Sequence, residues 1–140
     1  MDNDLNRFLK AQENDYEKAL SEIKAGRKRS HWMWYIFPQY KGLGFSETSK
    51  YYSIQDLNEA RNYLNNPVLG SRLKQITNEL LFLDENNANK VFGNPDDLKL
   101  KSSMTLFLSV DTSKEKPLNK VLDKFFNGRF DEKTLNLIKE

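Results

Sequence analysis

Apolar side chains recur along this chain with the period of a helix. Leu5, Phe8, Leu9, Gln12, Tyr16, Ala19, Leu20 and Ile23 fall on one stripe, and Gly26 follows as a stop. A second helical stretch begins at Ser53, with Asp56 three positions on as a capping-box-like pair and Leu57, Ala60 and Leu64 on its inner face. Asn65-Asn66-Pro67 interrupts it, and Pro67 suits the first position of the next helix. That helix presents Leu69, Leu73, Ile76, Leu80 and Leu83, then ends in the polar cluster Asp84 to Asn87. Asn94-Pro95-Asp96-Asp97 reads as cap, proline at the first helical position and two carboxylates on the positive end of the dipole. Leu100, Met104, Phe107 and Leu108 continue its inner face. A Pro117-led helix carries Leu118, Val121, Leu122, Phe125 and Phe126 up to Gly128, and Asp131 caps a last short one through Leu135 and Ile138.

Alternating Val/Ile/Thr-rich runs, hairpin dipeptides between them and solenoid repeats are all missing from the pattern. The expected fold is therefore all-α: a compact single-domain bundle of about six to eight helices over residues 1–140.

The 30–38 segment departs from amphipathic spacing. After Ser30, a good N-cap, and His31 comes the unbroken run Trp32-Met33-Trp34-Tyr35-Ile36-Phe37, closed by Pro38. A helix apolar all round must be buried all round, which makes this run a central core element. The alternative is that some rings wall a pocket and stack on a planar ligand, with Lys28, Ser30 and His31 at its mouth and Gln39 beyond its end.

Composition narrows the chemistry. There is no cysteine, which removes disulfides, thiolate metal sites and cysteine nucleophiles, and the single histidine removes paired-histidine zinc sites. No metal site is expected, and no cofactor is indicated. Lys and Arg number 22 against 20 Asp and Glu, and each half of the chain carries a net charge of +1. Without a basic arm or tail, nucleic-acid binding ranks third among the functional readings. The opening Met1-Asp2-Asn3-Asp4 lacks the charged and apolar regions of a signal peptide. The longest apolar run, Trp32 to Pro38, is far below the ~20 residues of a membrane helix. A soluble cytoplasmic protein is expected.

Candidate chemistry gathers in two stretches. His31 is the one side chain that titrates near neutral pH, and a helix N-terminus there would keep it neutral and able to move a proton. Arg27-Lys28-Arg29 before the Ser30-headed terminus would form an anion site, or else a solvated basic turn. Lys41-Gly42-Leu43-Gly44-Phe45 lacks the spacing of a phosphate loop and reads as a loop, with a lid over the aromatic run as the alternative. In the second stretch Ser102, Ser103 and Thr105 place hydroxyls in mid-helix, where they either permit close packing or line a cleft with Lys101.

These strings carry a resemblance. Gly26-x-Lys28-x-Ser30-His31-Trp32-Met33-Trp34-Tyr35-Ile36-Phe37-Pro38-Gln39, Gly42-Leu43-Gly44, Pro67-Val68-Leu69-Gly70, and Asp97-Leu98-Lys99-Leu100 with Ser102-Ser103-Met104-Thr105-Leu106-Phe107 resemble an uncharacterised bacterial family. It is the domain of unknown function eighteen-ten, often labelled "calpastatin", and the likeness spans nearly the whole chain. The resemblance implies a mainly helical single domain and no particular reaction. The calpastatin label conflicts with the composition, since calpastatin's inhibitory segments are disordered and this chain is 12% aromatic with regular amphipathic helices.

The leading functional expectation is a binding or catalytic domain for a small anionic, ring-bearing ligand such as a nucleotide. Trp32, Trp34 or Tyr35 would stack, Lys28, Ser30, Gln39, Lys101 and Ser103 would bind, and His31 or Asp97 would move a proton. The alternative is a non-enzymatic module that docks a protein partner through the aromatic run or the 38–46 loop. It requires an exposed apolar patch.

Overall fold

Periodic apolar stripes produce helices at nearly every place where they occur. In the computed structural model, residues 5–113 and 116–139 are described; the Met1–Asp4 opening that bears on targeting lies outside them. The described helices are α1 (Asn6–Lys24), α2 (Met33–Ile36), α3 (Glu47–Tyr51), α4 (Leu57–Asn65), α5 (Pro67–Phe82), α6 (Ala88–Phe92), α7 (Asp96–Leu108), α8 (Pro117–Phe126) and α9 (Glu132–Lys139). Among the described residues there is no strand, and one isolated bridge joins Tyr40 to Ile54. The fold is all-α. No described helix is long and apolar enough to cross a membrane.

Several boundaries follow from side chains that satisfy free backbone N–H groups. Asn66 Oδ1 accepts from Val68 N and Leu69 N, with Pro67 as the first residue of α5. Asp131 Oδ2 accepts from Thr134 N at 3.0 Å and so caps α9. At α4 the cap is Asp56 itself, through Glu59 N at 2.8 Å, and Ser53 stands outside the helix. At α7 Asn94 does not cap; Pro95 occupies that position, and its carbonyl accepts from Leu98 N and Lys99 N. The short helices α3 and α6 have too few residues to show a period, and the pattern of apolar positions misses both.

Helix α5 is packed by α1, α4 and α8, while α7 meets α4, α6, α8 and α9. At the α4–α5 corner a β-carbon on Gly70 would sit 2.0 Å from the Leu64 carbonyl oxygen, so only glycine allows the two backbones to approach. Gln12, inside the apolar stripe of α1, is buried because its amide is fully used: Nε2 donates to the Tyr35 carbonyl at 2.7 Å and to the Tyr63 hydroxyl at 3.0 Å.

The aromatic run divides between core and surface. Trp32, Met33, Tyr35, Ile36 and Phe37 are buried, and Trp32, Phe37 and Phe92 form a ring cluster with centroids 5.9–6.4 Å apart. Trp34 is half-buried. The 38–46 loop after it is tied down at its start, where Ile54 N donates to Gln39 O and Lys41 N to Ile54 O, both at 2.9 Å.

Candidate functional site

The Ser30-headed helix terminus does not form. Helix α2 begins at Met33, with Trp32 in the cap position and no side-chain cap. Ser30 is instead drawn to Glu22, in the last turns of α1. Glu22 Oε1 accepts from Arg29 N (2.8 Å), Ser30 N (3.0 Å) and Trp32 Nε1 (2.8 Å), and Oε2 accepts from Ser30 Oγ (2.6 Å). Burial pushes the Glu22 carboxyl up, but these donors outweigh it and hold its pKa down to about 2. The basic turn thus does gather an anion, and that anion belongs to the chain.

Beside this clamp, Lys28 and Lys99 share one carboxylate. Lys28 Nζ lies 2.9 Å from Asp96 Oδ2 and also donates to the Ser30 carbonyl, and its side chain is only 8% exposed. Lys99 Nζ lies 3.7 Å from Asp96 Oδ1 and 5.6 Å from the centre of the Trp34 ring. Two cations thus share the one carboxylate of Asp96, a local surplus of one positive charge. Trp34 shares the rim of a small hollow with Gln39, Tyr40, Ser49 and Tyr52. Its volume of about 10 Å³ is room for one water at most, so the indole edge there is a surface rather than a ligand cavity.

His31 is exposed, and its carbonyl accepts from the Tyr35 hydroxyl at 3.2 Å. The same hydroxyl donates to Asp15, and burial followed by that carboxylate raises the Tyr35 pKa. Trp32, expected as a stacking ring, is 1% exposed with its indole N–H spent on Glu22, so it has no face left for a ligand. Ser103, expected to bind, is fully buried and its hydroxyl has no partner among the described residues.

Helix geometry separates the remaining candidates. Asp96 and Lys99 share the face of α7 that meets Lys28 and Trp34, whereas Asp97 and Lys101 lie one turn apart on another face. Asp97 Oδ2 is 3.4 Å from Asn89 Nδ2, on a polar cleft of about 650 Å³ that Lys124 and Phe126 also line. Lys101 Nζ lies 5.9 Å from the Phe126 ring, and Lys124 donates to the carbonyls of Leu81 and Leu83 at the end of α5. Lys28, Ser30, Trp34 and Gln39 therefore belong to one edge of the molecule, and Asp97 and Lys101 to another; His31 follows Ser30 in the chain.

Sequence reasoning missed Glu22 and Lys99. Glu22 bonds residues seven to ten positions away, a span without periodic signature. Lys99 looks like one of many solvated lysines until α7 docks. The hydroxyls of Ser102 and Thr105 serve packing: each donates to the carbonyl four residues earlier, and Thr105 Oγ1 also accepts from Asp131 N at 2.9 Å, pinning the start of α9. Among the described residues no group of three or more His, Asp or Glu side chains is placed to hold a metal.

The crystal structure of the conserved hypothetical protein Rv1873 from Mycobacterium tuberculosis is similar throughout, with 41% sequence identity, 98% of this chain and 97% of that one covered, and a TM-score of 0.94. No curated protein matches the chain. A family model described as "Protein of unknown function (DUF1810)" matches residues 2–138. Spanning almost the entire length, that match places the chain in a family: it belongs to the proteins of unknown function DUF1810.

Proposed function

We propose that this protein binds a small anionic ligand bearing a flat ring, of nucleotide type, on the edge formed by Lys28, Trp34, Gln39 and Lys99. The observation that carries this reading is the pairing of two lysines with the single carboxylate of Asp96 beside a half-exposed indole. The positive surplus attracts phosphate, and the ring supplies a face for a base. His31, exposed and next in the chain to Ser30, is the group that would move a proton if binding leads to reaction. Residues 1–140 act in this reading as one domain, supported by one apolar core that takes side chains from α1, α2 and α4 through α8.

Thermal-shift and calorimetric titration with AMP, ATP and a nucleotide sugar test the proposal. A ligand present at about 100 times its Kd adds ~2.7 kcal/mol to stability. Trp34→Ala and Lys99→Ala should each weaken binding about tenfold, the size of one charge-assisted or stacking contact. Lys101→Ala, on the other face, should leave it unchanged. Absence of binding across the panel, or affinity indifferent to both edge variants, refutes the reading.

A second reading, a protein-docking module, is favoured by Phe45 (78% exposed) and Tyr51 (61% exposed) on the 45–51 segment. It predicts that Phe45→Ser abolishes association with a partner protein without lowering stability.

A further inference from the structure

A second cavity has a different chemistry from the Trp34 edge. It holds about 360 Å³ between the end of α7, the start of α8 and the chain that enters α9, within the usual size of small-molecule sites. Leu108, Leu135 and Phe130 form apolar walls, and Phe130 leaves 42% of its surface in solvent. The hydroxyls in the wall are already spent. Thr105 Oγ1 donates to the Lys101 carbonyl and accepts from Asp131 N, and Ser109 Oγ donates to the Leu106 carbonyl.

Two lining groups remain. Among the described residues Lys116 makes no ion pair, the Asn119 side-chain amide makes no hydrogen bond, and the lining contains no carboxylate. An apolar chamber with one amide at its edge, and one cation there that no described residue pairs, complements a molecule with an apolar body and a single anionic head. A neutral ligand would leave Lys116 unused. A di- or triphosphate would carry more charge than this site offsets, and its hydration would be lost against the leucine walls.

We propose that this cavity binds a small monocarboxylate with an aliphatic or aryl body, its head on Lys116 and Asn119 and its body between Leu108, Leu135 and Phe130. Nothing in this inference depends on the nucleotide reading.

Octanoate is the probe and 1-octanol its neutral counterpart, followed by calorimetry and by amide NMR of the full chain. Octanoate should bind saturably, one per chain, and shift the signals of Leu108, Asn119 and Leu135. Lys116→Gln should weaken octanoate about tenfold while leaving octanol unchanged, because only the charge-assisted contact is removed. Phe130→Ala should weaken both, and Trp34→Ala neither. Non-saturable uptake, shifts confined to other residues, or a Lys116→Gln effect equal for acid and alcohol overturns the proposal. Loss of nucleotide binding with octanoate binding intact would sink the Trp34 reading alone.

Discussion

Replacing Glu22 by Gln tests whether one carboxylate organises the turn that leads into the aromatic core. The substitution keeps size and one oxygen, but it removes the charge and turns an NH2 toward donors that need an acceptor. In the folded chain the Glu22 pKa falls from its ordinary 4.5 to about 2. A depressed carboxylate contributes stability that is present above the unfolded value and is lost as pH falls through the folded one. At about 1.4 kcal/mol per unit, the whole shift corresponds to ~3 kcal/mol; solvent on the open side of the half-exposed side chain reduces this to about 2 kcal/mol. Urea unfolding of parent and variant at pH 7 should therefore differ by about 2 kcal/mol, and the gap should shrink to less than half by pH 3. A gap that stays constant between pH 7 and pH 3, or none at pH 7, would refute the argument that hydrogen bonds to the ionised form hold this turn.

Gly70→Ala should cost at least about 2 kcal/mol in urea unfolding, because its new methyl, fixed on Cα without a rotamer to escape by, meets the backbone carbonyl of Leu64 at 2.0 Å. Ser103→Ala should be neutral or stabilising by up to ~1 kcal/mol, since it removes a buried hydroxyl that has no partner among the described residues. Arg7 donates to the Tyr51 and Ser53 carbonyls and to Glu59, so Arg7→Met should lower stability by about 2 kcal/mol and speed hydrogen exchange across residues 51–59. Burial pushes the Tyr16 phenol up to about 12, so ultraviolet titration of the folded chain should find it still protonated at pH 11, and Tyr16→Phe should leave the absorbance change below that pH unaltered.

The all-α class and the long helices can be read from local rules. Period, caps such as Asn66 and Asp131, and prolines at 67 and 117 act within a few residues of their targets, and each element is specified where it stands. The same rules fail at Ser30. Its good capping propensity competes with the carboxylate of Glu22, which offers a charged acceptor to four donors at once and draws the turn out of helical geometry. The aromatic run illustrates the same limit, because composition requires burial but does not say that Trp34 alone among its members stays half-open.

Local order along the chain thus establishes which segments become helices and which side chains are apolar enough to make a core. Function depends on which faces meet, and that is a property of docking. Lys28 and Asp96 are 68 positions apart, and Asp97 and Lys101 differ from Asp96 and Lys99 by a rotation about one helix axis. Only the packing of α7 against the 28–34 segment, α8 and α9 decides that the first group shares an edge with Trp34, while Asp97 and Lys101 turn toward another cleft and Lys116 is left at the mouth of an apolar cavity. The physical reason is that these contacts join residues remote in sequence, whose positions are set by the shape of the assembled core rather than by their neighbours in the chain.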